Sequence, residues 1–96
     1  MRVEILDEAE QDLVDGYRFY ESQVAGLGDY FLHSLFSDID SLQFHAGIHS
    51  VQFGFKRLLS KRFPFAVYYR IEKSIVRVHA VLDCRRDPSW IRGRLT

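Results

Sequence analysis

The side chains most able to do chemistry in this chain are the arginines and lysines of its second part. Residues 55–96 hold eleven basic and three acidic residues, whereas residues 1–54 hold two basic and ten acidic ones, which gives the two parts net charges of +8 and −8. Three acids cannot pair eleven cations, and such asymmetry is typical of proteins that bind a polyanion or an acidic partner. The alternative is that acidic helices and basic strands neutralise each other within the fold.

Arginine side chains could converge on one concave surface of the fold. Guanidinium groups bind phosphate and carboxylate oxygens through paired hydrogen bonds, so this surface would bind a phosphate-rich or acidic partner. The alternative is a solvated face whose ion pairs contribute little. The predicted members are Arg57, Arg70, Arg77, Arg85 and Arg86.

Two side chains on the same predicted strand face could transfer a proton. His79 lies on the polar face of the last strand, and Tyr68 should share that face. The alternatives are a surface histidine and an aromatic residue that packs across strands. Cys84 has no dedicated base beside it in the sequence, so we interpret it as a semi-buried filler rather than a nucleophile.

The sequence indicates no metal or cofactor site. Cys84 is the only cysteine, which excludes an internal disulfide. His45 and His49 would supply only half of a metal site, and we interpret both as solvated loop histidines.

The elements that position these residues centre on two alternating blocks, residues 61–72 and 75–86, joined by Lys73 and Ser74. Their β-branched and aromatic residues predict an antiparallel hairpin. Because side chains alternate across a strand, each block should have two distinct faces. The first block places Phe65, Val67, Tyr69 and Ile71 opposite Ala66, Tyr68 and Arg70; the second places Val76, Val78, Ala80 and Leu82 opposite Ile75, Arg77, His79 and Val81.

The preceding residues predict one strand and two helices. Arg2–Leu6 alternates like a strand, and Asp7 with Glu10 forms a possible capping box for a helix that ends near Gly26-Leu27-Gly28. A second helix is predicted from about Asp29 to Phe44. Each helix has a stripe of residues expected in the core: Ala9, Leu13, Tyr17, Tyr20 and Val24 in the first, and Phe31, Leu35, Ile39 and Leu42 in the second. The aromatic residues Phe19 and Phe36 are expected in the core as well.

The order of elements predicts an α+β two-layer sandwich. An N-terminal strand is followed by an αα-hairpin, a strand over Val51–Ser60, the central hairpin and a short basic tail, with the helices covering one sheet face. Residues 1–96 form a single domain on this interpretation. No apolar run is long enough for a membrane span, and Glu4, Asp7 and Glu8 stand where a secretory signal needs basic residues, so the cytoplasm is the expected location.

The chain resembles the RelE/ParE toxins of type II toxin–antitoxin systems over nearly its whole length. The motifs that carry the resemblance are Asp12-Leu13, Tyr17, Phe19-Tyr20, Gly26-Leu27-Gly28, Phe31, Lys61-Arg62-Phe63-Pro64-Phe65, Val67-Tyr68-Tyr69, Val76, Val78, Ala80-Val81-Leu82, Cys84-Arg85-Arg86-Asp87-Pro88 and Trp90. The resemblance implies a small cytoplasmic toxin without a cofactor. It also implies a cognate antitoxin that covers the grooves of the helices and sheet, with growth inhibition and plasmid stabilisation as the expected roles.

The branches of this family differ in their targets. ParE-type members bind and poison DNA gyrase, and the residues 67–70 and 82–87 look closer to that branch, which we favour. The basic residues named above, together with Lys56 and the base-stacking side chain of Trp90, would then bind the target.

The second branch, the RelE-type members, cleaves mRNA on the ribosome. Such cleavage needs a base for the 2′-OH, cations for the transition state and an acid for the leaving oxygen. Arg57 and Arg86, with Lys56, lie where that branch places basic residues, and His79 or Tyr68 would have to supply the proton transfer. Phe65 and Trp90 stand where that branch has a basic residue and a terminal tyrosine or histidine. A third alternative is a non-toxic interaction module.

Overall fold

In a computed structural model, which describes residues 1–96, the chain folds into one mixed sheet with helices on both faces. The alternating sequence patterns form the strands, and the helical patterns form the helices. The elements in chain order are β1 (Arg2–Ile5), α1 (Asp7–Gln23), α2 (Leu27–Asp40), α3 (Leu42–His45), β2 (Val51–Gln52), β3 (Phe55–Leu59), β4 (Phe65–Glu72), β5 (Ile75–Asp83) and α4 (Pro88–Leu95). The α+β class and the order of strand, helical hairpin and antiparallel strands are confirmed.

The sheet has five strands in the order β1-β5-β4-β3-β2. β1 pairs with β5 in parallel, and β2, β3, β4 and β5 are joined by antiparallel pairing. The prediction of a single strand over 51–60 is wrong. Phe53 and Gly54 adopt φ angles of 54° and 83°, which reverse the chain and split the segment into β2 and β3.

A β-bulge in the central hairpin changes which residues of β5 face the core. Tyr69 pairs with Val78 but Tyr68 pairs with Ala80, so His79 is an extra residue in its strand. Beyond it, Val81 packs with Val78 in the core beneath α1 and α2. The predicted faces therefore exchange after His79: Ala80 and Leu82 lie on the opposite side, in a second cluster.

The helices α1 and α2 cover one face of the sheet. The predicted stripe of the second helix is confirmed, because Phe31, Leu35, Ile39 and Leu42 are all buried. In that core the ring of Phe31 lies 4.9 Å from that of Phe65 between centroids. Aromatic packing at this position joins the helical hairpin to the start of β4.

Details of the helix ends and stripes differ from the prediction. Asp7 is the first helical residue rather than the N-cap, and Leu6 makes no side-chain capping bond. The second helix begins at Leu27 and breaks at Ser41 into α2 and α3. Three predicted core residues are exposed: Val24, Phe19 and Phe36. Val24 is the C-cap residue beyond α1, Phe36 lines a groove between α1 and α2, and Phe19 lines a cavity between α1, β5 and α4.

The basic tail forms a helix, α4, on the other face of the sheet. Asp87 caps it by accepting a hydrogen bond from Ser89 N at 2.8 Å, and Pro88 occupies the first turn. Ile91 and Leu95 of α4 pack on Phe55 and its neighbours in the second cluster. No helix in the structure combines the length and the apolar character that crossing a membrane requires.

Candidate functional site

Three of the predicted arginines extend from the sheet face opposite α1 and α2. The guanidinium of Arg70 stacks over the Phe55 ring, with its Cζ 3.9 Å from the centroid. Arg57 pairs across the strands with Tyr68, so its side chain extends to the same face. Arg77 pairs with Arg70 and shares that face. The alternation of β3, β4 and the first part of β5 explains this convergence.

The third of these arginines is already neutralised. Arg77 donates to Glu4 at 3.3 Å and to Glu72 at 3.2 Å, and these hydrogen bonds raise its pKa. Arg57 and Arg70 form no ion pair. Arg70 is exposed, whereas Arg57 is half-buried and its Nε is inaccessible, so of these two charges that of Arg70 is the more open to a partner.

One further arginine joins this face from the tail. Arg92 of α4 lies over the Phe53 ring, 5.4 Å from its centroid. We call Phe53, Phe55, Arg57, Arg70 and Arg92 the arginine–phenylalanine face. Sequence reasoning missed Arg92 and Phe53, because only the positions of α4 and of the β2–β3 turn bring them together.

Two predicted target-binding residues lie away from this face. Lys56 extends toward the helical side, where its Nζ donates to the carbonyl of Gly47 at 3.3 Å. Arg85 bonds Asp83 at 2.7 Å, and its ion pair holds the pKa of Asp83 below the usual range. The structure therefore does not place Lys56 and Arg85 on one surface with Arg57 and Arg70.

Arg86 and Trp90 form a separate site at the edge of the sheet. Arg86 stacks on the Trp90 ring with its Cζ 3.7 Å from the centroid. Both residues line a cavity of about 300 Å³ between α1, β5 and α4, which Phe19 and Asp15 also line. The indole of Trp90 is thus stacked by a cation of the same chain, and the cavity beside it is lined by apolar, acidic and basic side chains, including the exposed Phe19 ring and the Asp15 carboxylate.

Tyr68, the first acid–base candidate, is buried. Only 1% of its surface is exposed, because Ile91 and Leu95 of α4 cover this part of the sheet. Burial raises the pKa of Tyr68, and the nearby Arg57 opposes that shift. The phenol packs across the strands, as the structural alternative in the sequence analysis proposed.

His79, the second candidate, is half-buried at the bulge. Its Nε2 is inaccessible and has no hydrogen-bond partner in the chain, and its ring packs edge-on against Phe55 at 5.0 Å between centroids. Burial lowers the pKa of His79, and the positive charge of Arg70 lowers it further. The ring borders a cavity of about 700 Å³ that Glu8 and Arg94 also line.

The remaining chemical candidates have defined surroundings. Cys84 is exposed as a residue, whereas we expected it to be semi-buried, and local desolvation of its sulfur still raises the pKa of the thiol. His49 is half-buried rather than fully solvated, and its Nδ1 lies 2.5 Å from the hydroxyl of Tyr69, which also accepts a hydrogen bond from Gly47 N. No three His, Cys, Asp or Glu side chains are grouped as metal ligands would be.

Comparison with known proteins relates this architecture to a solved fold. No protein-family model and no curated protein matches the sequence. A solved structure described as the chromosomal ParDE TA (toxin–antitoxin) system from P. aeruginosa contains a similar chain, with a TM-score of 0.77 and 20% sequence identity. The likeness covers 84% of this chain and 92% of that one. The chain therefore has the RelE/ParE-like α+β fold that the sequence analysis predicted.

Proposed function

We propose that this chain is the toxin of a type II toxin–antitoxin pair and that it acts in the cytoplasm by binding DNA gyrase. The observation that carries the proposal is an arginine-rich sheet face on which Tyr68 is buried and the Nε2 of His79 is inaccessible. The similar fold of a chain in a ParDE TA system supports the toxin class.

The surroundings of Tyr68 and His79 favour binding over cleavage. General acid–base catalysis requires a group within hydrogen-bond reach of the proton that it moves. Tyr68 is 1% exposed and so does not reach a ligand on the arginine–phenylalanine face, and the half-buried His79 has one ring nitrogen, Nε2, that is inaccessible. Arg57 and Arg70 on the same face retain unpaired charges, which suit an acidic protein surface.

The cognate antitoxin has a suitable surface on the helical side. An apolar groove of about 220 Å³ runs between α1 and α2, and it is lined by Val14, Tyr17, Leu32 and Phe36. Phe36 is 39% exposed there. An amphipathic helix of the antitoxin would fill such a groove with its apolar side chains.

Expression in bacteria from a tightly regulated plasmid, without a neighbouring antitoxin gene, tests the toxin class. We expect growth to stop on induction. Circular dichroism of the purified chain verifies that it is folded. Unaffected growth of cells that make the folded chain would favour the non-toxic interaction module.

The target is tested separately with purified components. We expect the chain to inhibit supercoiling by gyrase or to trap cleaved DNA. No effect at saturating protein would contradict the gyrase proposal. Codon-phased cuts in primer extension on mRNA from arrested cells would instead favour the ribosome-dependent endonuclease, for which Arg57 and its neighbours would supply the cations.

A further inference from the structure

The loop that precedes β2 is fastened to the core through one buried hydroxyl group. Tyr69 on β4 is 0% exposed, and its hydroxyl accepts a hydrogen bond from Gly47 N at 3.2 Å. The same hydroxyl lies 2.5 Å from Nδ1 of His49, whose ring meets that of Tyr69 edge-on at 5.6 Å between centroids. Two residues of the loop therefore bind one atom of the sheet. We call Gly47, His49 and Tyr69 the loop latch.

These contacts determine where the proton of the His49 ring lies. A phenol hydroxyl donates one proton and accepts through its lone pairs. The Tyr69 hydroxyl makes two hydrogen bonds within the chain, and because Gly47 N donates to it, its own proton has only Nδ1 of His49 as an acceptor. The latch is therefore satisfied when the ring is neutral and carries its proton on Nε2. A charged ring donates from both nitrogens, which would leave the buried phenol proton without an acceptor.

The surroundings of His49 contain no group that would stabilise a charged ring. The titratable groups that act on it are Tyr69 of β4, Lys56 of β3 and His45 of α3, and none is a carboxylate. Lys56 lies close, because its Nζ donates to the carbonyl of Gly47 at 3.3 Å and to that of His49 itself at 3.5 Å. Burial lowers the pKa of His49, and the positive charges of Lys56 and of protonated His45 lower it further. Uptake of a proton therefore opposes the closed latch.

The latch holds the start of a β-hairpin that has few bonds of its own. β2 and β3 share only two residue pairs, and the carbonyl of Ser50 extends the pairing by accepting a hydrogen bond from Arg57 N at 3.0 Å. Phe53, in the turn between the two strands, belongs to the arginine–phenylalanine face, where Arg92 lies over its ring. Ser50 follows His49 directly in the chain. Release of the latch would thus remove the support of the hairpin at the end opposite to Phe53.

We propose that the loop latch is a proton-sensitive switch: uptake of one proton by His49 separates residues 46–50 from Tyr69 and loosens the β2–β3 hairpin that carries Phe53. At neutral pH the closed latch keeps Phe53 beneath Arg92, and at mildly acid pH the arginine–phenylalanine face loses this ordered edge. The switch itself is independent of the proposed function, whereas its effect on target binding rests on that function.

Amide hydrogen exchange of the chain alone, followed by NMR at pH 7 and pH 5 and corrected for the intrinsic effect of pH on exchange, tests this inference. We expect the protection of Gly47 N–H to fall about tenfold, because each unit between the closed-state and open-state pKa of His49 changes the opening equilibrium about tenfold. Protection of Arg57 N–H, which reports its bond to Ser50, should fall with it. His49→Gln should abolish the pH response. The matched control is His45→Gln, an exposed histidine in the same region, which should retain the response.

The hydrogen-bond arrangement of the latch has a second readout. Long-range ¹H–¹⁵N NMR spectra at pH 7 should show the His49 proton on Nε2, and Tyr69→Phe, which removes only the hydroxyl, should raise the pKa of His49 toward 6.5. The proposal is overturned if the proton lies on Nδ1, if protection of Gly47 does not change with pH, or if the change persists in His49→Gln.

Loss of protection at Gly47 without loss at Arg57 would also overturn the proposal, because the hairpin would then not follow the latch. None of these measurements involves gyrase or growth, so failure of the switch is distinguishable from failure of the proposed function.

Discussion

Asp12 on α1 binds Arg94 on α4 through both of its carboxylate oxygens. Its Oδ1 forms an ion pair with Arg94 at 2.8 Å, and its Oδ2 accepts hydrogen bonds from Arg94 and from the backbone N–H of Val81. Asp12 is buried, and Val81 lies just beyond the bulge of β5. One carboxylate thus joins the helical layer, the sheet and the tail helix. Because α4 carries Arg92 and covers Tyr68, this contact also determines the shape of the arginine–phenylalanine face.

Removal of Arg94 should destabilise the fold in a pH-dependent way. Burial raises the pKa of Asp12 above 3.8, and Arg94 opposes that shift. In Arg94→Leu the folded-state pKa of Asp12 rises further, so the folded state binds the proton more tightly than the unfolded state. Relative to the unaltered chain, the free energy of unfolding of Arg94→Leu should be lower by about 3 kcal/mol at neutral pH. This deficit should shrink as the pH falls toward the unfolded-state pKa of Asp12.

Urea unfolding at several pH values measures this deficit. Arg92→Leu on the exposed side of the same helix is the control and should change the free energy of unfolding by less than about 0.5 kcal/mol. Equal deficits for the two variants, or a deficit for Arg94→Leu that does not vary with pH, would contradict the role of Asp12.

Substitution of Gly16 on α1 by alanine should push α1 away from α2. A Cβ at this position would lie 2.5 Å from Cζ of the buried Phe31 ring, whereas a Cβ at Gly93 meets nothing within 4 Å. Gly16→Ala should therefore lower the free energy of unfolding by about 1–3 kcal/mol. Gly93→Ala, within the exposed part of α4, should raise it by roughly 0.5–1 kcal/mol. Thermal unfolding distinguishes the two signs.

Protonation of His79 should destabilise the fold at mildly acid pH. Burial lowers its pKa below 6.5, so the folded state favours the neutral ring, and the associated stability is lost as the pH falls from 6.5 through the folded-state pKa. His79→Gln should make the loss of stability between pH 7 and about pH 5 shallower. His49, whose pKa burial also lowers, should account for a further part in a double variant with His49→Gln.

NMR titration of the unaltered chain checks the same point directly. The imidazole signals of His79 should titrate below pH 6.5. A midpoint at or above that value would show that the bulge does not disfavour the charged ring.

Loss of charge from the arginine–phenylalanine face should weaken target binding without unfolding the chain. Arg57→Gln with Arg70→Gln should raise the concentration needed to inhibit gyrase by about tenfold, and the difference should shrink at high salt. Lys73→Gln, at the exposed β4–β5 turn, is the control and should inhibit like the unaltered chain. Equal inhibition by all three proteins would place the binding surface elsewhere, with the Arg86 and Trp90 site as the next candidate.

Local patterns account for much of this fold. The helical spacing of Phe31, Leu35 and Ile39 and the alternation of β4 were sufficient to predict the elements and the α+β order, because both depend on the periodicity of neighbouring residues. The excess of arginine in the second part was equally plain in the sequence. The convergence of Arg57 and Arg70 follows from that alternation as well.

The tertiary structure alone decided how those elements become a surface. The bulge at His79 exchanges the faces of β5, and because Ala80, Val81 and Leu82 are all apolar, the shift in the alternation is not visible in the sequence. Asp12 and Arg94 lie 82 positions apart, and their pairing depends on α4 crossing the sheet. Local periodicity and composition specified the elements and the charge, whereas long-range packing specified which cations remain free, because burial and ion pairing depend on neighbours that are distant along the chain.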